Sequence, residues 1–168
     1  MGGLKRIAAW AAASFAAALI ALPTPARADD PDFIVGGVGW FDMNREKNTA
    51  TSFNVEYRSD AKWWIFKPMA GFMATTDGAA YGYVGPAVDI YFGRRLVLTG
   101  MTAIGAYHDG SGLDLGHWIE FRSGMELAFR FDNRSRLGVG FHHISNANIG
   151  EKNPGTEILG VFYAIPLR

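Results

Sequence analysis

From residue 33 onward the chain falls into stretches in which apolar and polar side chains alternate with a period of two. Eight can be counted: Phe33–Phe41, Thr49–Tyr57, Lys62–Thr75, Ala80–Phe92, Arg95–Tyr107, Asp114–Phe131, Arg134–Ser145 and Thr156–Leu167. Successive side chains of a strand point to opposite faces, so this period predicts strands with one apolar face. Glycines run through the stretches, and no capping residue is followed by a stripe of 3.6-residue period. Both features argue against helices.

The composition of the two faces separates kinds of strand protein. In the sixth stretch the odd positions read Leu115, Ile119, Phe121, Met125, Leu127, Phe129 and Phe131, and the even ones Gly116, Glu120, Arg122, Gly124, Glu126 and Arg130. Phe53, Val55 and Tyr57 against Asn54, Glu56 and Arg58 repeat the pattern in the second. Glycines and charges able to pair with one another suit the inside of a narrow membrane barrel whose apolar row faces lipid. The connections Ser59-Asp60, Gly93-Arg94 and Asp132-Asn133 read as tight turns, and Asp42–Asn48, Thr76–Ala79, His108–Leu113 and Asn146–Gly155 as longer loops. Short turns alternating with longer loops predict an all-β, eight-stranded antiparallel transmembrane barrel of the bacterial outer membrane. The competing reading is a soluble, lipocalin-like barrel, which needs no such apolar row outside.

The first residues break the pattern. Lys5 and Arg6 precede an apolar run from Ile7 to Leu22, and Ala26-Arg27-Ala28 offers a small-x-small cleavage site, so residues 1–28 read as a secretory signal peptide. Residues 29–168 would then be the barrel. The formal charge of the 168-residue chain is zero, but the leader carries three of its 16 basic residues and none of its 16 acidic ones, which leaves −3 on the mature part. No basic field marks a nucleic-acid partner. The absence of cysteine excludes disulfides and thiol chemistry and leaves serine as the nucleophile to look for.

In the seventh stretch, His143 and Ser145 lie on the lipid-facing odd row, while His142 faces inward. Two residues along a strand is ~6.6 Å, a gap the two side chains can bridge, which suits a base and its nucleophile. Glu157 heads the apolar row Leu159, Val161, Tyr163, Ile165 and Leu167 of the eighth stretch. A charge on a lipid-facing row is costly unless paired or near the interface. A hairpin through Asn146–Gly155 brings Glu157 to the same rim as His143, where it can orient the imidazole and stabilise its protonated form, as in a serine–histidine–acid triad. With the N-terminus in the periplasm, the seventh strand ends at the cell surface. The three residues then face the outer leaflet, whose main lipid is lipopolysaccharide, and an ester of its lipid A is the natural bond to cleave.

The run Phe141-His-His-Ile-Ser-Asn-Ala-Asn148, with Asn153-Pro-Gly155 and Glu157, resembles the lipid A 3-O-deacylase (PagL) family of outer-membrane enzymes. The His-x-Ser-Asn core and the acid twelve residues beyond the serine match the family's triad spacing. The resemblance implies His143 as base, Ser145 as nucleophile and Glu157 as orienting acid, in an eight-stranded barrel that removes the 3-O acyl chain of lipid A without a cofactor. The specific match covers about Phe141–Glu157.

Asn146 and Asn153 are candidate oxyanion donors, although both residue types are also ordinary turn formers. Phe141, Val139 and Leu159 would line the acyl chain. His117 reads as an interfacial residue on the sixth stretch. His108 with Asp109 supplies too few ligands for a metal, and Trp63-Trp64, Tyr81, Tyr83 and Tyr91 suit girdle and lumen positions. Monomer and homodimer both remain open. The alternative function is a non-catalytic small barrel, structural or adhesive, which would leave His143 and Glu157 on the lipid row without a role.

Overall fold

Alternating side chains close into a cylinder when each strand finds two neighbours, and this chain does so completely. The computed structural model describes residues 30–44 and 48–167; the expected signal peptide and its cleavage after Ala28 lie outside them. The strands are β1 (Phe33–Phe41), β2 (Ala50–Arg58), β3 (Lys67–Thr75), β4 (Ala80–Phe92), β5 (Leu96–His108), β6 (Ile119–Arg130), β7 (Arg136–Ser145) and β8 (Thr156–Pro166). Every neighbouring pair is antiparallel, and β8 returns to β1, which leaves the sheet without an open edge.

The two faces are as the alternation requires. Outside is a belt of exposed apolar residues such as Phe53, Val84, Ile104, Met125, Val139 and Val161. An exposed apolar surface of that extent marks contact with something other than water, and on a barrel it is the lipid-facing band. Inside, one half of the lumen is filled by Met73, Tyr81, Tyr83, Met101, Ile144 and their neighbours. The remainder holds paired charges. Arg58 donates to Glu56 and forks onto Glu126 at 2.8 and 2.9 Å, while the Tyr83 hydroxyl donates to Glu56 at 2.8 Å. Nearer the rim that carries both described chain ends, Asp89 accepts from Lys67 and Arg136 at 3.0 Å each, and Asp30 accepts from the same two at 3.1 and 2.8 Å. Pairing and hydrogen bonding offset the cost of burying these charges, whereas the fully buried Glu120 carboxylate has no hydrogen-bond partner among the described residues.

Most strand ends fall within two residues of their sequence reading, and two stretches differ by more. The third strand starts at Lys67 rather than Lys62, because residues 59–66 form a longer turn closed by an isolated Trp63–Phe66 bridge, with Trp64 at φ 61°. The expected two-residue turn at Ser59-Asp60 is therefore absent. The sixth strand starts at Ile119 rather than Asp114, since Gly116 takes φ 90° and the Asp114 carboxylate accepts its N–H at 2.7 Å. Leu115 consequently turns into the lumen and is buried, whereas the alternation had set it on the lipid row. His117 likewise lies before the strand, its Nδ1 accepting the Ile119 N–H at 2.9 Å. His142 faces inward as read, 3.6 Å from Glu126.

Candidate active site

The register of two strands builds the centre of the site. β7 and β8 pair so that His143 stands opposite Glu157, and parity turns both outward, away from the lumen. His143 Nδ1 lies 3.1 Å from Glu157 Oε1, a hydrogen bond that places the proton on Nδ1 and leaves Nε2 as a free base. The side chains are 42% and 24% exposed, so the pair sits at the surface of the belt, not beneath it. Glu157 is fixed from behind. Its carbonyl accepts the Met43 N–H at 3.2 Å, and the buried hydroxyl of the adjacent Thr156 donates to Asp42 at 3.0 Å.

Ser145 ends β7, two residues nearer the loops than His143 on the same outward row, with Phe121 of β6 as its cross-strand neighbour. Gly155 shows which way the imidazole leans. It has φ 62°, and a methyl group built on it would come 2.9 Å from His143 Cε1 and 3.5 Å from Nε2. Since Ile144 pairs with Thr156, the next register step sets Gly155 beside Ser145. The Cε1–Nε2 edge therefore reaches towards the level of Ser145. That edge carries the free base, so hydroxyl and base lie on one side of the sheet at one rim.

The sequence reading passed over two residues here. Ser123, exposed on β6, is the cross-strand neighbour of His143 on the side away from Glu157, so Ser123, His143 and Glu157 form a polar row across an apolar face. Only the register reveals it, because nothing around Ser123 in the sequence differs from the rest of that strand. Gly155 is the other: the sequence reading quoted it only within the Asn153-Pro-Gly155 run and gave it no role, whereas its missing side chain makes room for the imidazole.

The loop 146–155 is held from within by Asn146. This residue is fully buried; its side-chain amide donates to the Leu115 and Lys152 carbonyls at 2.9 and 2.8 Å, and its Oδ1 accepts the Asn148 N–H at 2.9 Å. Its own N–H donates to Asn153 Oδ1 at 3.0 Å, and Asn153 Nδ2 donates to Asn148 Oδ1 at 3.2 Å, an exposed bond. Lys152 pairs with Asp114 at 2.6 Å across the same rim, and this bond holds the Asp114 carboxyl below its ordinary range. Below the histidine, Phe141 pairs with Leu159 and Val139 with Val161, all four exposed, so an apolar wall descends from the polar row. His108 and Asp109 stand apart, exposed and 3.7 Å from each other.

The model of the lipid A 3-O-deacylase (PagL) family matches residues 36–166, which is most of the chain. No curated protein sequence matches. Among solved structures, the fold is similar to the crystal structure of the outer membrane enzyme PagL, with a TM-score of 0.66 and 20% identity over 80% of this chain and 99% of that one. A de novo designed transmembrane β-barrel aligns with a TM-score of 0.57 and 13% identity, over 83% of this chain and 98% of the other.

Proposed function

We propose, from the premise that this chain belongs to the lipid A 3-O-deacylase (PagL) family, that it cleaves its ester by a serine–histidine–glutamate mechanism on the lipid-facing side of the barrel, in the outer leaflet. Membership makes the chain a carboxylic ester hydrolase acting on lipid A, and the barrel places it in the outer membrane. The observation that carries the mechanism is the 3.1 Å bond between His143 and Glu157 on an otherwise apolar outward row. A non-catalytic barrel would gain nothing from such a pair.

In this reading Ser145 Oγ attacks the carbonyl carbon of the 3-O ester as His143 Nε2 takes the hydroxyl proton. Glu157 holds Nδ1–H and stabilises the imidazolium. The C–O bond to the sugar then breaks, and His143 returns the proton to the leaving sugar oxygen. Water, deprotonated by the same imidazole, attacks the acyl-enzyme and releases the fatty acid and Ser145. Nothing in these steps calls for a cofactor. The acyl chain enters sideways from the membrane and lies against Phe141, Val139 and Leu159.

The charge that develops on the carbonyl oxygen needs donors. The N–H of the residue after a nucleophile is well placed for this, and here it belongs to Asn146. Without substrate that N–H is bound to Asn153 Oδ1. An incoming oxyanion would displace Asn153 Oδ1 and recruit both the Asn146 N–H and the Asn153 Nδ2 group, whose present partner is an exposed one.

The test is the mass spectrum of lipid A treated with purified protein in detergent. The native chain should remove one 3-hydroxyacyl group, and Ser145→Ala should remove none while the barrel stays folded. Deacylation by Ser145→Ala at the native rate would reject the mechanism and turn attention to Ser123.

A further inference from the structure

The polar row on the outside of the barrel is longer than the histidine–glutamate pair. Ser123 of β6 stands opposite His143, and Thr102 of β5 stands opposite Ser123, so hydroxyls extend the row by two more strands. Both residues are exposed on faces that are otherwise apolar, and Ser123 interrupts the outward series Phe121, Met125, Leu127 and Phe129. Neither hydroxyl bonds another of the described residues. A hydroxyl turned to hydrocarbon without a protein partner is unfavourable unless the lipid supplies one.

Of the two, only Ser123 is within reach of the reacting ester. Phe121 is the cross-strand neighbour of Ser145, which makes Ser123 and Ser145 diagonal neighbours, ~7–8 Å apart. Thr102 lies one strand farther off, roughly 10 Å across the sheet from β7. The imidazole leans from β7 towards β8, because it bonds Glu157 and closes on the space left by Gly155. The flank over β6 is therefore open to the ester. Below Ser123 the apolar wall continues through Met125, the cross-strand neighbour of Phe141. An acyl chain whose carbonyl is at Ser145 passes Ser123 with its first carbons before it reaches Phe141.

Those first carbons are where acyl chains differ in polarity, since a 3-hydroxyacyl chain carries a hydroxyl on its third carbon and a plain one does not. That oxygen lies ~3–4 Å from the carbonyl carbon. The carbonyl carbon itself sits ~3–3.5 Å from Ser145 Oγ at the point of attack. One hydrogen bond of ~2.8 Å then closes the remaining distance to the Ser123 hydroxyl.

We propose that Ser123 is a specificity-determining residue, whose hydroxyl bonds the hydroxyl on the third carbon of the chain being cleaved and so selects 3-hydroxyacyl esters over plain acyl esters. The proposal rests on the deacylase mechanism above. It gives the unpartnered hydroxyl of the β6 face a polar group of the lipid to bond.

The experiment compares two esters of glucosamine that differ only in that hydroxyl, a 3-O-(3-hydroxyacyl) and a 3-O-acyl compound of equal chain length. Values of kcat/KM are measured in detergent for each. The native chain should prefer the hydroxylated ester, and Ser123→Ala should reduce the ratio about threefold to tenfold, the worth of one neutral hydrogen bond. The plain ester should be affected far less. Ser123→Thr, which keeps a hydroxyl, should restore the preference. Thr102→Val removes the neighbouring hydroxyl, which is out of reach, and should leave the ratio as it is. A native ratio near one, or an equal fall on both esters in Ser123→Ala, would overturn the proposal. Ser145→Ala is assayed on the same pair. If it is inactive while Ser123→Ala shows no selective loss, the mechanism stands and the specificity role falls. If it remains active while Ser123→Ala loses the preference, the role stands and the mechanism falls. Loss of both hydrolyses in Ser123→Ala, with Ser145→Ala still active, would make Ser123 the nucleophile and overturn both.

Discussion

Replacing Gly155 by alanine tests whether the catalytic geometry depends on an empty space. Two effects arise. Alanine at φ 62° pays for a left-handed backbone, about 1–2 kcal/mol. Its methyl group would also come 2.9 Å from His143 Cε1, and opening that contact to 3.4 Å requires a shift of ~0.5 Å. The exposed imidazole gives way more readily than the backbone of a closed barrel, so the shift falls on the ring that bonds Glu157 at 3.1 Å. Misplacement by ~1 Å can cost a hundredfold in rate, so kcat should fall about tenfold to a hundredfold with little change in KM. The assay is the initial rate of 3-hydroxy fatty acid release over a range of lipid A concentrations in detergent. Gly93→Ala is the control, because Gly93 has a similar φ of 66° and nothing within 4 Å of the added carbon. It carries the strain without touching the site. Gly155→Ala activity within twofold of native, from protein whose folded band survives in the gel, would refute the argument.

Glu157→Gln keeps the shape of the side chain but removes the charge that stabilises the imidazolium, and kcat should fall about 10²- to 10⁴-fold in the same assay. Arg58→Met leaves Glu56 and Glu126 facing each other without their cation, which should cost about 3–5 kcal/mol and lower the urea midpoint of the folded band. At the terminal rim, the Tyr57 hydroxyl donates to Asp32 at 2.6 Å and holds its carboxyl below the ordinary value, with the Asp60 N–H adding to the effect. A depressed carboxylate contributes stability above its unfolded pKa of about 4 and loses it as the pH falls towards the lower folded value. Asp32→Asn should therefore narrow the difference in urea midpoint between pH 6 and pH 3; an unchanged difference would remove Asp32 from the account.

The strand framework was legible because one face of each strand is apolar and the other is not, and that contrast survives any register. Strand ends were not, for a reason particular to membrane barrels. At Lys62–Phe66 the turn is made of Trp63, Trp64, Ile65 and Phe66, residues that favour strands, with the two tryptophans exposed and Ile65 and Phe66 half-buried at the end of the apolar belt. The polarity signal that usually marks a turn is missing there. At Asp114–Trp118 the parity of Leu115 and His117 agreed with the following strand by coincidence, and Gly116 was the residue that betrayed the turn. The base, nucleophile and acid candidates could be singled out because each is a polar residue on a lipid-facing row. Ser123 is equally polar on that row, yet only the pairing of β6 with β7 sets it beside His143. The space left by Gly155 is beyond any one-dimensional pattern.

The packed interior has an electrical consequence. Arg58 between Glu56 and Glu126, and Arg136 and Lys67 between Asp89 and Asp30, span the lumen at two heights, and the cavity beside Arg122 and His142 amounts to about 20 Å³. That is room for about one water molecule, far short of a hydrated ion. The barrel is thus a wall that works on its outer surface, and in a planar bilayer it should pass no current under an applied voltage. A bacterium producing it in quantity would gain a lipid A deacylase without opening a route for small polar antibiotics.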